Sequence, residues 1–294
     1  MKNAYIKYIS ALLLFGTNGI IASYISLSSY EIVFFRTLIG SLFLILLLII
    51  TKQRPKIWEN KKHFLYLIIS GAAMGASWMF LYEAYTKIGI SLATLAYYCG
   101  PVIVMLLARF TFGEKITAPK LLGFVSVTAG MYLVNRMELI HSGFSWGLIC
   151  GILAAVMYAV MVIFNKKAAS ITGLENSVFQ LLFSFVTVAV FTIARQGVAF
   201  AIPAHSILPI LVLGIVNTGI GCYLYFSSIT YLPAQTVAVC GYLEPVSALA
   251  FSSLFLSERL TTVQLLGTVL ILGGAAFGEL YKTTKFEYIK KENG

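Results

Sequence analysis

Of the 294 residues, 59% are hydrophobic and only 11% are charged, with a mean hydropathy of +0.89. Soluble domains run near 45–50% apolar and about 25% charged, so this chain has too few polar residues to coat one soluble core, and lipid becomes its solvent. A net charge of +10 would suit nucleic acid, but the basic residues lie between apolar runs and at the ends, as membrane orientation signals do; no nucleic-acid partner is expected.

A crossing helix takes about 20 mostly apolar residues. The first run follows a charged start, MKNAYIK, but continues past Ile20 without a small-x-small cleavage site, so it reads as a retained helix. Taken in order, the runs predict helices at 5–25, 31–51, 63–86, 91–112, 118–136, 144–166, 174–195, 206–229, 234–256 and 261–281. The fold class is thus an all-α membrane protein of ten transmembrane helices. The connections are short, because irregular backbone facing lipid would leave amides unpaired. With the N-terminus cytoplasmic, sixteen of the 21 Lys and Arg residues fall on the inner side, which puts both termini in the cytoplasm.

An internal repeat organises these helices. At a constant offset of 144 residues Glu31 meets Glu175, Gly75 meets Gly219 and Tyr98 meets Tyr242. Pro101-Val102 meets Pro245-Val246, Glu114 meets Glu258, Thr117 meets Thr261, and Leu121-Leu122-Gly123 meets Leu265-Leu266-Gly267. The units are 1–138, 139–281 and a basic cytoplasmic tail, 282–294. Each copy holds five helices, and an odd number sends the second copy in from the opposite side. Inverted repeats give one scaffold two pseudo-equivalent states, open to either side, as secondary transporters need.

The segments GPVIVMLLARFTFGEKITAPKLLGFVSVTAG (100–130) and EPVSALAFSSLFLSERLTTVQLLGTVLILGG (244–274) resemble the closing half of an EamA unit of the drug/metabolite transporter superfamily. The shared pattern is Pro-Val, a run of apolar and small residues, Glu-basic-Leu/Ile-Thr, then Leu-Gly and Gly. LFGTNGII (14–21) is similar to that family's first-helix motif, with Phe15 where Trp is usual. Arg36 stands where the family often has an arginine; the second copy has Gln180 there. The resemblance implies a central cavity between the halves and transport of small solutes, often export of amino acids or related metabolites from a bacterial plasma membrane. Relatives carrying sugar phosphates or nucleotide sugars imply the alternative, an exchanger of those.

Glu244 lies about ten residues into the ninth helix, near mid-depth, where a carboxylate is paired, protonated or turned to a cavity. Pro245 and Pro101 cannot bond the carbonyls of Gly241 and Tyr97, so both helices should kink there. Glu244 could bind a substrate amino group, carry a proton or only fix the kink. Arg36, about 7 Å inside the second helix at 1.5 Å per residue, suits a substrate carboxylate or phosphate or snorkels to the interface. Trp78, Tyr82 and Tyr85 share one face of the third helix. With Tyr97, Tyr98, Tyr223 and Tyr242 they could line an aromatic cavity or serve as belt and core. Asn18 and Asn217 are buried amides that could bond substrate or another helix.

Other features read as structural. Glu83 and Lys87, at i,i+4, form a favourable helix pair. Glu114 and Glu258 precede apparent N-caps at Thr117 and Thr261 and should join helices. The pairs Gly71/Gly75, Gly147/Gly151 and Gly274/Gly278 permit close contact, and the last could serve a homodimer. Cys99, Cys150, Cys222 and Cys240 lack metal or disulfide spacing and read as packing residues; no metal or cofactor is expected. No Gly-x-x-x-x-Gly-Lys-Ser/Thr loop occurs, which argues against ATP-driven pumping. An intramembrane enzyme would need clustered His, Asp or Ser, but the chain has no aspartate and only three histidines, all near helix ends. The expected partners are a small-molecule substrate and membrane lipid.

Overall fold

The computed structural model describes residues 2–53, 55–88, 90–135, 146–197, 201–255 and 261–280. Among them the regular structure is helical throughout. Ten spans follow in order: Lys2–Ser23, Ser29–Ile50, Lys61–Ile88, a fourth made of Ile90–Tyr97 and Gly100–Phe112, Ala118–Asn135, Trp146–Lys167, Gly173–Gln196, Ala204–Ile229, Ala234–Phe255 and Thr262–Leu280. Seven of these helices are individually long and apolar enough to cross a bilayer. Glu258 and the tail 282–294 lie outside the described residues.

Local chemistry sets the helix ends. The second span starts on a capping box, in which the Ser28 hydroxyl accepts from Glu31 N–H and the Glu31 carboxylate accepts from Ser28 N–H at 2.8 Å. The fourth and ninth spans break in mid-course, at Tyr98–Cys99 and at Tyr242, and each restarts with a proline in its first turn. There the missing N–H costs nothing, since first-turn amides have no intrahelical partner. The first span breaks at Thr17, whose hydroxyl turns back to the Leu14 carbonyl at 2.7 Å. The eighth differs from the regular helix expected over 206–229: Leu213–Ile220 is π-helical, between α-helical halves.

The packing repeats under exchange of the two halves. The second span packs on the seventh and the fifth on the tenth, each on its own counterpart; first-on-eighth and first-on-ninth contacts match sixth-on-third and sixth-on-fourth. The fifth–tenth seam shows why glycine is required. A Cβ on Gly123 would lie 2.4 Å from the Gly274 carbonyl oxygen, and one on Gly274 would lie 2.6 Å from that of Gly123. In membranes such backbone proximity replaces the hydrophobic drive that lipid removes. Gly274 thus packs against Gly123 within the chain.

Neither cavity described below reaches the face bearing Lys2, Lys61, Lys120 and Lys167, the basic face. An apolar cluster including Tyr8, Leu12, Val104, Val162, Phe226 and Ile229 fills the half of the bundle next to it. Polar contacts tie the halves together there. Both Glu114 carboxylate oxygens accept amides at the start of the ninth span, from Ala234 at 2.7 Å and Gln235 at 3.0 Å. Glu114 therefore joins helices as expected, by capping a helix of the other repeat. Lys166, at the end of the sixth span, donates to the carbonyls of Ile229 and Leu232, where the eighth span ends. On the opposite face Glu83 pairs with Arg195 of the seventh span at 3.3 Å and accepts from the Tyr30 hydroxyl. This corrects the Glu83–Lys87 pairing: among the described residues the ion pair of Glu83 is with Arg195. Arg195 is itself half exposed, but it comes from the packed seventh span and reaches an acid that Tyr30 already bonds.

Candidate functional site

A cavity of about 800 Å³ runs inward from the face opposite the basic one. Its mouth lies among Ala22, Ser23, Ser29 and Thr86, where the first and third spans end and the second begins. It narrows at mid-depth to a chamber of about 90 Å³ floored by Leu12, Met74, Met161 and Phe226. Phe15, Asn18, Arg36, Trp78, Tyr97, Tyr98 and Glu244 border both volumes.

The interrupted helices position these groups. Glu244 lies in the first turn of the restarted ninth span, one residue before Pro245. Among the described residues its carboxylate has no hydrogen-bond partner; its backbone carbonyl accepts from Ser247 at 2.8 Å. Gly16, just before the break in the first span, lets that helix press on the ninth here, since a Cβ would meet the Ser247 hydroxyl at 2.0 Å.

Arg36 is turned inward and is only 6% exposed, so it does not snorkel. Its Nε donates to the Thr218 hydroxyl at 2.9 Å and an Nη to the Asn18 side-chain oxygen at 3.4 Å. Its guanidinium lies 5.0 Å from the centre of the Trp78 ring, within cation–π range. Arg36 and Glu244 form no ion pair with each other, although both face the same space. A buried base and a half-buried acid therefore face one aromatic chamber without pairing with each other.

The ring cluster is wider than the sequence indicated. Tyr97 stands edge-on to Tyr158 at 5.6 Å, and the Tyr158 and Tyr225 hydroxyls are 3.4 Å apart. Tyr158 and Tyr225 line the chamber, and neither was singled out from the sequence. They fall outside the repeated motifs, but Tyr158 sits midway along a 22-residue helix, and depth alone could have marked it. Ser77 also borders the chamber and donates to the Ala154 carbonyl at 2.8 Å.

Three expected residues lie elsewhere. Tyr223 packs against the apolar cluster on the basic side, with the Lys7 ammonium 5.4 Å from its ring; its neighbour two residues on, Tyr225, takes the cavity side. Tyr242 is buried among Val127, Met131 and Val246, and its hydroxyl donates to the Tyr98 carbonyl at 2.8 Å. Asn217 is 1% exposed and donates to the Leu14 carbonyl and the Thr17 hydroxyl, both at 2.8 Å. Satisfying these groups stitches the break in the first span, the helix-joining role. Tyr82 and Tyr85 stay on the cavity, nearer its mouth.

The model of the EamA-like transporter family matches residues 2–136 and again 145–278. The chain belongs to the EamA-like transporter family. Among its EamA relatives, the Bacillus subtilis (strain 168) protein named "Uncharacterized transporter YxxF" is 25% identical over 288 residues, covering 94% of this chain and 89% of that one. The Escherichia coli (strain K12) "Probable amino-acid metabolite efflux pump" is 28% identical over 194 residues, 62% of this chain and 65% of that one. A solved crystal structure superposes with a TM-score of 0.81 at 18% identity, covering 94% of this chain and 97% of that one; at that identity the likeness speaks for the EamA fold alone.

Proposed function

We propose that the chain is a secondary transporter that exports a small zwitterionic metabolite, an amino acid with an aromatic or other apolar side chain. The observation that carries this reading is that Arg36 and Glu244, unpaired with each other, both line one chamber walled by Trp78, Tyr97, Tyr98, Tyr158 and Tyr225. An α-amino acid fits both charges at once: its carboxylate takes the guanidinium N–H groups, its ammonium meets Glu244, and its side chain packs on the rings. The name of the Escherichia coli relative supports the same substrate class. A sugar phosphate would use Arg36 but would bring its negative charge towards Glu244, so the exchanger reading fits less well.

Transport by alternating access is the use to which two-fold pseudo-symmetry lends itself. In the state described, the cavity opens away from the basic face. The orientation set by Lys and Arg makes that the outer side of the bacterial plasma membrane, with both termini cytoplasmic. Loading from the cytoplasm requires the Glu114 cap and the Lys166 contacts to part while the mouth closes. Glu244 also supplies a carboxylate on which a coupled proton could ride.

A thermal-shift screen of the purified protein against amino acids, sugar phosphates and nucleotide sugars tests the reading. A ligand at a hundred times its Kd stabilises the folded state by about 2.7 kcal/mol. Stabilisation by aromatic amino acids is the expected result. Stabilisation by phosphorylated sugars alone would replace this reading with the exchanger.

A further inference from the structure

The π-helical stretch Leu213–Ile220 runs for eight residues inside the eighth span, and none of its residues lines either cavity. Single π turns inside α-helices recur at functional sites. Here two successive residues of the turn act on the same cavity group. Thr218 is fully buried; its hydroxyl donates to the Leu213 carbonyl five residues back at 2.8 Å and accepts from Arg36 Nε at 2.9 Å. A hydroxyl has one proton, so the bond to Leu213 commits that proton and leaves the oxygen as an acceptor for the guanidinium. Asn217 anchors the break in the first span through Leu14 and Thr17. The next residue after that break, Asn18, carries the side-chain oxygen that holds the other end of Arg36.

We propose that Thr218, oriented by the π turn, is a positioning residue that aims the Arg36 guanidinium across Trp78 into the cavity. With Nε tied back to the eighth span, the remaining N–H groups point the guanidinium fork towards the chamber. Without the tie, a long arginine side chain has many rotamers, and a carboxylate ligand would have to order it on binding. The consequence for selectivity rests on the amino-acid reading given above; the aiming itself does not.

The test uses Trp78 as the sole tryptophan, with Trp58 and Trp146 replaced by Phe, and reads its emission without any ligand. Arg36→Gln removes the stacked cation and shifts the emission. Thr218→Val keeps the side-chain shape, removes the acceptor and is expected to shift emission in the same direction. Thr218→Ser restores the hydroxyl and the original spectrum. Thr218→Ala gives the same reading should the valine variant fail to fold. Binding of phenylalanine relative to phenethylamine, which lacks only the carboxylate, should fall by about tenfold in Thr218→Val, the equivalent of roughly 1.4 kcal/mol. Emission unchanged by Thr218→Val but shifted by Arg36→Gln overturns the proposal. Emission shifted by both, with no preference for the acid over the amine in the unmodified protein, upholds the aiming by Thr218 and removes the carboxylate reading of the cavity.

Discussion

The Tyr242 hydroxyl donates to the Tyr98 carbonyl at 2.8 Å, and the two residues are 144 positions apart, the repeat offset of the sequence. Each marks the point where its helix breaks before a proline, so the bond links the two discontinuities across the pseudo-two-fold axis. Tyr242→Phe should leave ligand binding intact, because Tyr242 does not border the cavity. It should destabilise the protein by about 1 kcal/mol, between the roughly 0.6 kcal/mol of an average interhelical bond in lipid and the 1–3 kcal/mol of an orphaned buried acceptor. Thermal unfolding in detergent measures the first effect and ligand titration checks the second.

Glu244→Gln should fold normally and lose transport, or transport without coupling to protons. Glutamine keeps the shape but cannot meet an ammonium as a charge or release a proton. Flux into liposomes across a pH series reads the outcome; wild-type rates with an unchanged pH profile would remove the carboxylate from the mechanism.

Glu114→Gln should loosen the basic face. The carboxylate caps two amides at the start of the ninth span, and losing a cap costs about 0.5–2 kcal/mol. Faster amide hydrogen exchange is expected across Ala234–Gly241, with little change in the second span. If exchange rises equally in both, the contact is a general brace and not a local closure of that face.

Gly123→Ala should destabilise the fifth–tenth seam, since the added carbon meets the Gly274 carbonyl oxygen at 2.4 Å and overpacking of this kind costs about 1–3 kcal/mol. Gly19→Ala is the control, because nothing lies within 4 Å of a Cβ there. The melting temperatures of the two variants should separate clearly.

The ten helices were legible because crossing a bilayer demands long apolar runs, and the repeat because Pro, Gly and Glu recur at one offset. Glu244 and Pro245 were legible for the same reason: a charge and a helix breaker are conspicuous in an apolar run. Residues whose role depends on helix rotation were not. Tyr223 and Tyr225 are two positions apart and of one type, yet only Tyr225 turns to the chamber, and the π turn upstream rotates the facing of every later residue in that span. Asn217 and Thr218 look like isolated polar residues until the break in the first span and Arg36 are brought against them. Glu83 had a partner in sequence at Lys87, but the tertiary neighbour Arg195 was invisible to a local pattern.

A zwitterion seated between Arg36 and Glu244 needs both of its charges. The direct measurement is the affinity of the purified protein for phenylalanine, for phenethylamine, which lacks the carboxylate, and for 3-phenylpropionate, which lacks the ammonium, repeated on Arg36→Gln and Glu244→Gln. The unmodified protein should bind the amino acid most tightly, that advantage over the amine should be lost in Arg36→Gln, and that over the acid should be lost in Glu244→Gln. Equal affinity for all three ligands, or the same loss pattern in both variants, would contradict that seating.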